Sequence, residues 1–151
     1  CMGIGATISG QSAGTFGDIS AFSMHPLKSL NVMGDGGMIT TNNDEYAFWM
    51  SKYRNHGMVN RDSIEFWGVN MRLQPLQAIV ASIGLDKLED VLKKRRSNAK
   101  QLDDALSNLT VSGHVELPRR IDNHKETCAL YLGLFKNRDQ LRLFFLSFLL
   151  L

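Results

Sequence analysis

The chain has 151 residues, of which 44% are hydrophobic and 21% are charged, and its formal net charge is +2. This composition supplies enough apolar side chains for a sizeable core, and it excludes an intrinsically disordered polymer. The small net charge does not indicate a nucleic-acid-binding protein, and the basic run at residues 93–96 is typical of the solvated face of a helix. The length fits one domain or parts of two.

Cysteine and histidine are too sparse and too scattered to predict a disulfide framework or a metal centre. The two cysteines, Cys1 and Cys128, have no metal-ligand spacing, and the four histidines are dispersed along the chain. This usage fits the reducing cytoplasm, and we expect no bound metal. The first residues also lack the basic start and apolar run of a signal peptide.

The end of the sequence is unusual because residues 143–151 carry no charge. These residues are too few to cross a bilayer, which takes about 20. A native membrane anchor and a truncated or misread C-terminus both fit this ending, and we expect the second. We accordingly interpret the chain as an internal fragment of a longer protein.

The first half of the chain predicts two strands and a helix. Residues 19–24 form a buried strand that Pro26 ends, because proline supplies no backbone donor. Residues 37–41 form a second, β-branched strand. Asn43 then caps a helix that ends at Gly57. The predicted buried face of that helix carries Tyr46, Trp49, Met50 and Tyr53.

Next come an irregular loop over residues 58–68 and a long amphipathic helix. Pro75 starts the helix, where its missing donor costs nothing. The pattern continues to Leu109 with an interruption at Gly84, as expected for a connector between two domains. The predicted apolar face consists of Leu76, Ile79, Val80, Ile83, Leu88, Val91, Leu92, Leu102, Leu106 and Leu109.

The last part of the chain predicts a loop, a strand and a helix. The loop covers residues 110–127 around Pro118, the apolar strand covers residues 128–135, and a helix begins at Asn137. Strands and helices are therefore mixed along the whole chain, which predicts an α/β fold.

One lysine, Lys28, lies between the first predicted strand and a glycine-rich loop, Gly34-Asp35-Gly36-Gly37. An amine held at a strand end by stiff backbone can be desolvated, and burial lowers the pKa of an ammonium group toward the range that Schiff-base chemistry requires. Most lysines are solvated surface residues, so the position of Lys28 alone leaves both interpretations open.

Five short motifs occur in one order along the chain. They are Ser23-x-His25-Pro26-x-Lys28, Gly34-Asp35-Gly36-Gly37, Arg54-Asn55-His56-Gly57, Gly68-Val69-Asn70-Met71-Arg72-Leu73 and Leu76-Gln77-Ala78. With this ordered set, the chain resembles the DegT/DnrJ/StrS family of pyridoxal-phosphate-dependent nucleotide-sugar aminotransferases. The resemblance covers residues 5–109 and continues more weakly to residue 141.

This resemblance implies the fold-type I architecture of PLP-dependent transferases, which is aspartate aminotransferase-like and has a mostly parallel seven-stranded large domain. Residues 1–109 would be the C-terminal part of that PLP-binding domain together with the connecting helix. Residues 110–151 would begin the small C-terminal domain. The N-terminal half of the large domain would lie outside the chain, so we expect the fragment alone to be inactive.

The resemblance also assigns three cofactor-binding residues. Lys28 would be the catalytic residue, which forms the Schiff base with pyridoxal 5′-phosphate and later moves the substrate proton. Ser23 would hydrogen-bond the cofactor phosphate; a strand serine bonded to backbone is the alternative, and it is favoured where the motif is not considered. Asn70 would reach the phosphate from the neighbouring subunit, which implies a homodimer with shared active sites; a loop or cap asparagine is the alternative.

Other positions are less clearly assigned by the resemblance. His56 either lines the substrate pocket or bonds its helix end, and Arg72 is either a substrate contact or a structural ion-pair partner. His25 is expected to shape the turn at the strand end. Met2 stands where the family usually has a Gln or His that contacts the cofactor, and a thioether cannot hydrogen-bond in the same way.

The implied function is transfer of an amino group, from a donor such as glutamate, to a keto group of a nucleotide-activated sugar. The product would serve polysaccharide, lipopolysaccharide or amino-sugar biosynthesis, with no nucleic-acid or membrane partner. Two alternatives remain: a PLP-dependent sugar dehydratase of the same fold, and a non-catalytic regulatory protein that binds PLP or sugar. The dehydratase branch characteristically has His at the position of Lys28.

Overall fold

The computed structural model describes residues 2–149, so Cys1 and residues 150–151 lie outside the described part. Within this range the mixture of strands and helices confirms the α/β prediction. The strands are β1 (Thr7–Ile8), β2 (Gln11–Ser12), β3 (Ile19–Ser23), β4 (Gly37–Thr41), β5 (Met58–Asn60), β6 (Ser63–Ile64), β7 (Val115–Glu116), β8 (His124–Lys125) and β9 (Leu134–Phe135). The helices are α1 (Asp44–Tyr53), α2 (Pro75–Asp86), α3 (Leu88–Val111) and α4 (Arg138–Leu149).

The longest ladder joins β3 and β4, which run antiparallel from the pair Ile19–Thr41 to the pair Ser23–Gly37. The two strands match the predicted strands to within one residue. β3 is not buried as expected: Ile19 is 47% exposed, since a two-stranded ladder lacks further strands to cover it. All ladders among residues 2–149 are antiparallel, so the parallel strands that the resemblance implies are not found in this part of the chain.

Helix α1 begins as predicted but ends earlier and buries a different side chain. Asn43 Oδ1 accepts a hydrogen bond from the backbone of Tyr46 at 3.1 Å, and this contact caps the helix. The helix ends at Tyr53, four residues before the predicted end at Gly57. The predicted aromatic face is largely exposed, and the buried residue is Lys52.

The predicted irregular loop at residues 58–68 contains the small hairpin β5–β6. Its turn is closed by the Asn60 side chain, whose Oδ1 accepts a hydrogen bond from the backbone of Asp62 at 3.0 Å. Asparagine commonly forms such a turn with its own backbone two residues on. The loop prediction was therefore wrong over this segment.

Pro75 is the first residue of α2, as predicted, but the helix break lies at Lys87 instead of Gly84. Gly84 remains helical and allows a close approach, because a Cβ at this position would lie 2.8 Å from Leu30 Cδ1. The predicted apolar face was partly wrong: Leu92 is buried, whereas Leu76, Ile79 and Ile83 are exposed.

The C-terminal predictions were also partly wrong. The predicted loop over residues 110–127 contains the last helical residues of α3 and the strands β7 and β8. The predicted strand over residues 128–135 is reduced to β9, and Cys128 has the left-handed φ of 47°, which interrupts extended backbone. Helix α4 begins one residue after Asn137, as predicted. Among residues 2–149, no helix is long and apolar enough to span a bilayer.

The central apolar cluster lies directly beneath the Lys28 loop. Met24, Leu30, Val32 and Ala81 are nearly inaccessible to solvent and pack together. Three of these residues flank Lys28 in the sequence, and the fourth belongs to α2. Burying each large apolar side chain contributes about 1.5–3 kcal/mol, so the core holds this loop against the helix.

Candidate functional site

The backbone around Lys28 is closed by short hydrogen bonds at the end of β3. The Met24 amide donates to the Gly36 carbonyl at 2.8 Å, and the Val32 amide donates to the Met24 carbonyl at 3.1 Å. The Lys28 amide donates to the His25 carbonyl at 2.9 Å. The Lys28 side chain is half-buried, and it forms no hydrogen bond or ion pair with the described residues. The loop thus presents an amine that is not used within residues 2–149.

Ser23 and His25 lie on the same strand-end turn as Lys28. Ser23 Oγ accepts a hydrogen bond from the His25 amide at 3.3 Å, which leaves the hydroxyl hydrogen free to donate. His25 Nδ1 accepts from the Leu27 amide at 3.2 Å, and His25 Nε2 lies 4.0 Å from an Asp35 carboxylate oxygen. The expectation that His25 shapes the turn is confirmed by these contacts.

A third polar group at this turn, the hydroxyl of Ser29, was not singled out from the sequence. Ser29 Oγ is buried and has no hydrogen-bond partner within residues 2–149. Buried hydroxyls are nearly always hydrogen-bonded, so an unpaired one beside Lys28 is unusual. Sequence patterns give no signal for this, since the serine follows the motif lysine without belonging to the motif.

Asn70, His56 and Arg72 form a second group. The Val69 amide donates to the Tyr53 carbonyl at 2.8 Å, and the His56 amide donates to the Val69 carbonyl at 3.0 Å. These bonds place Asn70 opposite Asn55 in an isolated antiparallel bridge, and the Arg72 guanidinium donates to Asn55 Oδ1. The segment after α1 and the segment before α2 are thereby joined.

Two glycines make this crossing possible. A Cβ on Gly57 would lie 1.8 Å from the Phe66 carbonyl oxygen, and a Cβ on Gly68 would lie 2.2 Å from the Gly57 nitrogen. Gly57 also has a φ of 71°, which glycine adopts without strain. The glycines of the two motifs are therefore required by one close backbone contact.

The Lys28 group and the Asn70 group are connected through Gln77, which sequence analysis gave no separate role. Gln77 Nε2 donates to the Asp35 carbonyl at 3.0 Å, and Gln77 Oε1 accepts from the Gln74 amide at 3.1 Å. Gln74 Nε2 in turn donates to the Arg72 carbonyl at 3.4 Å. No hydrogen bond or ion pair directly links the two groups within residues 2–149. Gln77 also lines a groove of about 950 Å³ that includes Asp35 and Arg72 but not Lys28, Ser23, His56 or Asn70.

Met2 precedes all of these motifs in the sequence, and its backbone contacts Thr127 instead of the Lys28 turn. Its carbonyl oxygen accepts a hydrogen bond from Thr127 Oγ1 at 3.2 Å. The Met2 side chain is partly exposed. Its thioether is at most a weak acceptor, so the structure gives Met2 no polar role at the site.

The marked electrostatic shifts lie away from both groups, at the joint between α3 and residues 120–131. Arg120 forms ion pairs with Asp103 and Glu126, and its hydrogen bonds lower the pKa of the Asp103 carboxyl. Tyr131 donates to Asp103 Oδ1 at 2.8 Å, and burial together with this bond raises the pKa of Tyr131 to about 12. Burial also raises the pKa of the Cys128 thiol.

The donor groups at the strand end fit the cofactor that the resemblance implies. Lys28 supplies a primary amine for an aldehyde carbon, and Ser23 supplies a free hydroxyl hydrogen for a phosphate oxygen. The unpaired Ser29 hydroxyl adds a further buried polar group beside them. For metal ions, no cluster of three or more His, Cys, Asp or Glu residues occurs within residues 2–149.

Comparison with known proteins gives consistent matches along most of the chain. The family model of the DegT/DnrJ/EryC1/StrS aminotransferase family matches residues 1–147. The dTDP-3-amino-3,4,6-trideoxy-alpha-D-glucose transaminase of Micromonospora megalomicea subsp. nigra is 34% identical over 142 residues, which cover 91% of this chain and 37% of that protein. A protein named pleiotropic regulatory protein, from Geobacillus stearothermophilus, is 32% identical over 93% of this chain and 38% of its own length.

The fold matches solved structures equally well. The structure of S. venezuelae DesV in complex with a ketimine intermediate has a TM-score of 0.85 and 32% sequence identity, covering 91% of this chain and 36% of that one. The chain therefore spans a little over a third of the length of the curated relatives it matches. The family and the fold both imply pyridoxal phosphate as cofactor.

Proposed function

Because the chain belongs to the DegT/DnrJ/EryC1/StrS aminotransferase family, we propose that it serves as part of a PLP-dependent sugar aminotransferase. The enzyme would move an amino group from a donor such as glutamate to a keto group of a nucleotide-activated sugar. The name of the M. megalomicea relative, a dTDP-amino-sugar transaminase, supports this substrate class. The reaction would supply amino sugars for polysaccharide, lipopolysaccharide or related biosynthesis in the cytoplasm.

The observation that carries this proposal is the environment of Lys28. Its amine lies on a loop fixed by the core and by short backbone bonds, is half-buried, and is unpaired within residues 2–149. Most surface lysines lack such a fixed backbone, and structural lysines are usually ion-paired. The resemblance of the Ser23–Lys28 motif to that of the family supports assigning the catalytic amine to this position.

Each of the three main residues has one task in the proposed reaction. Pyridoxal phosphate, when bound, supplies the electron sink that makes the donor's α-carbon acidic. Lys28 Nζ would hold the cofactor covalently, and as a free amine it would take the proton from that carbon. Ser23 Oγ–H would donate to a phosphate oxygen, and the side-chain N–H of Asn70 of a second subunit would donate to the same phosphate.

We assign residues 1–109 to the PLP-binding large domain and its connecting helix, and residues 110–151 to the start of the small domain. The homodimer is supported by the exposed apolar stripe on α2, formed by Leu76, Ile79 and Ile83. An apolar helix face of this kind is favourable only when covered. His56 and Arg72, which flank Asn70, are assigned to the sugar or donor pocket.

Two observations separate this proposal from its alternatives. A sugar dehydratase of the same fold is disfavoured because a lysine, and no histidine, occupies position 28. A regulatory role is favoured by the names of two relatives, the pleiotropic regulatory protein of G. stearothermophilus and a sensory transduction protein of Saccharopolyspora erythraea. A regulator that performs no chemistry has no need for an unpaired, fixed amine beside a phosphate-binding hydroxyl.

The test is a cofactor titration of the complete enzyme that contains this chain. Added PLP should produce an absorbance band near the edge of the visible range, and added glutamate should remove it. A Lys28→Ala enzyme should give neither change. A protein that takes up no cofactor under saturating conditions would contradict the proposal and favour a regulator that binds sugar without PLP.

A further inference from the structure

Lys52 is the one charged side chain that is buried among the side chains the structure describes. Its Nζ forms an ion pair with Glu65 Oε2, and it lies 4.2 Å from the centroid of the Phe48 ring and 5.6 Å from that of Phe66. A buried ammonium group is costly unless it is paired, and aromatic faces attract a cation further. No motif and no step of the proposed reaction accounts for this arrangement.

We propose that Lys52 is a positioning residue that locks the backbone crossing from which Asn70 and Arg72 extend. This inference rests on the proposed function, in which Asn70 binds the cofactor phosphate. Lys52 acts through Glu65 and the crossing, and it touches neither cofactor nor substrate.

Lys52 and Glu65 are joined through their backbones as well as through their side chains. The Lys52 carbonyl accepts hydrogen bonds from the Asn55 and Gly57 amides, each at 2.9 Å. The Gly57 carbonyl in turn accepts from the Glu65 amide at 2.9 Å. The side-chain ion pair and these backbone bonds therefore form a closed ring of contacts. The ring runs from the last turn of α1 through Gly57 to Glu65, which directly follows β6.

This ring encloses the tightest contact of the segment. Gly57 and Gly68 approach so closely that neither position has room for a Cβ. Beyond this contact, the Met71 amide donates to the Arg54 carbonyl at 2.9 Å. Asn70 lies between Met71 and Val69, and the Val69 backbone is itself bonded to Tyr53 and His56. A rigid crossing therefore transmits the position of Lys52 to Asn70, two residues after Gly68.

Aromatic stacking adds further contacts between α1 and the segment that follows the hairpin. Phe66 stacks on Trp49 with a centroid distance of 5.3 Å, and Trp49 stacks on Tyr53 at 4.8 Å. Phe66 precedes Gly68 in the sequence, whereas Trp49 and Tyr53 belong to α1. The aromatic stripe that the sequence assigned to a core thus holds the hairpin on the helix around one buried charge.

The first test measures amide hydrogen exchange in the full chain. Lys52→Met keeps the apolar stem between the rings and removes the charge, and Glu65→Gln removes the partner charge at a side chain that is 53% exposed. Both variants should exchange at least about 10-fold faster at the amides of His56, Glu65, Val69 and Met71. Amides of α3 should be unchanged, and the exposed-lysine control Lys94→Met should alter neither set.

The second test measures PLP affinity in the complete enzyme. Lys52→Met should weaken PLP binding about as much as Asn70→Ala does, and Lys52→Arg should restore most of the affinity because it keeps the positive charge. The absorbance maximum of bound cofactor should not move, since the Lys28 environment is untouched. A purely structural lysine would instead change exchange in α3 and the crossing together.

The outcomes separate this inference from the function on which it rests. Unchanged exchange at the crossing in both Lys52→Met and Glu65→Gln would overturn the inference. So would faster exchange with undiminished PLP affinity while Asn70→Ala weakens binding. If Asn70→Ala itself left PLP affinity intact, the cofactor role of Asn70 would be refuted, and the positioning role of Lys52 with it.

Discussion

At the scale of single residues, the turn after β3 uses each polar group for a different purpose. The His25 ring accepts from the backbone, Ser23 Oγ accepts from the His25 amide, and the Lys28 amine stays unpaired within residues 2–149. The order of these residues can be read from the sequence, and the motif that they form predicts a reactive role for the Lys28 amine. The unpaired Ser29 hydroxyl and the bonding of Gln77 are not visible, because both depend on which backbone atoms come close in the fold.

Replacing Lys28 tests the covalent role directly. Lys28→Ala in the complete enzyme should abolish transamination while leaving the fold intact, because the side chain is half-buried and outside the apolar cluster. Lys28→Arg should be equally inactive, since a guanidinium stays protonated and cannot condense with an aldehyde. Single-turnover assays with glutamate, together with circular dichroism to verify folding, measure both effects. Near-native turnover in either variant would refute the assignment.

Replacing Ser23 tests the phosphate contact. Ser23→Ala should weaken PLP affinity roughly 10- to 150-fold, because a hydrogen bond to a charged group contributes about 1.5–3 kcal/mol. Turnover at saturating PLP should fall much less, since the serine does not handle the proton. Equilibrium titration followed by steady-state kinetics separates the two quantities. The nearby Ser20 on β3 provides a matched strand-serine control, and an unchanged PLP affinity in Ser23→Ala would leave only a backbone role.

At the scale of elements, local sequence signals correctly predicted where helices begin. Predictions of burial failed where burial depends on which other element packs against the helix. The Asn43 cap and the Pro75 start need only a few neighbouring residues, so the sequence is sufficient for them. Which face of α2 is buried depends on what packs against it. Periodicity marked Leu76, Ile79 and Ile83 as core, yet the structure buries Ala81, where the Lys28 loop contacts the helix.

The joint between α3 and the segment after it gives a titration test. Burial and the hydrogen bond to Asp103 raise the pKa of Tyr131 to about 12, compared with about 10 for an ordinary tyrosine. The stabilisation linked to this proton is therefore complete below about pH 10 and is lost as the pH rises through 12. Asp103→Asn should lower the pKa of Tyr131 toward 10 while burial keeps it somewhat higher.

Ultraviolet absorbance of tyrosinate follows this titration, and a Tyr131→Phe chain identifies which transition belongs to Tyr131. A wild-type chain in which Tyr131 titrates near pH 10, as an ordinary tyrosine does, would contradict the contact with Asp103.

At the scale of the whole molecule, two observations support a larger proposed assembly: the exposed apolar surface of the chain and its partial coverage of its relatives. The chain covers 37% of the length of its M. megalomicea relative, and the sheet that contains its longest strands, β3 and β4, has two strands within residues 2–149. Side chains on β3 and α2 that the sequence predicted as buried are exposed within residues 2–149, which fits their burial in a larger proposed assembly. The proposed assembly has further strands beside β3–β4 and a second subunit against α2.

The shared active site is tested by mixing two defective chains in the complete enzyme. Asn70 is exposed and bridged only to Asn55 within residues 2–149, which suits a residue that serves a neighbouring subunit. A heterodimer of Lys28→Ala and Asn70→Ala chains would contain one site with Lys28 and Asn70 both native, and one site with neither. Random pairing of equal amounts should then restore about a quarter of the native sites.

The two chains must be co-expressed with different affinity tags, so that heterodimers can be isolated before assay. Isolated heterodimers should show about half the wild-type turnover, with PLP affinity at the restored site equal to that of the wild type. A heterodimer of Lys28→Ala with a wild-type chain serves as the control for tagging and exchange. Heterodimers no more active than the weaker parent, or a complete enzyme that is monomeric and active, would show that Asn70 does not cross to a second subunit.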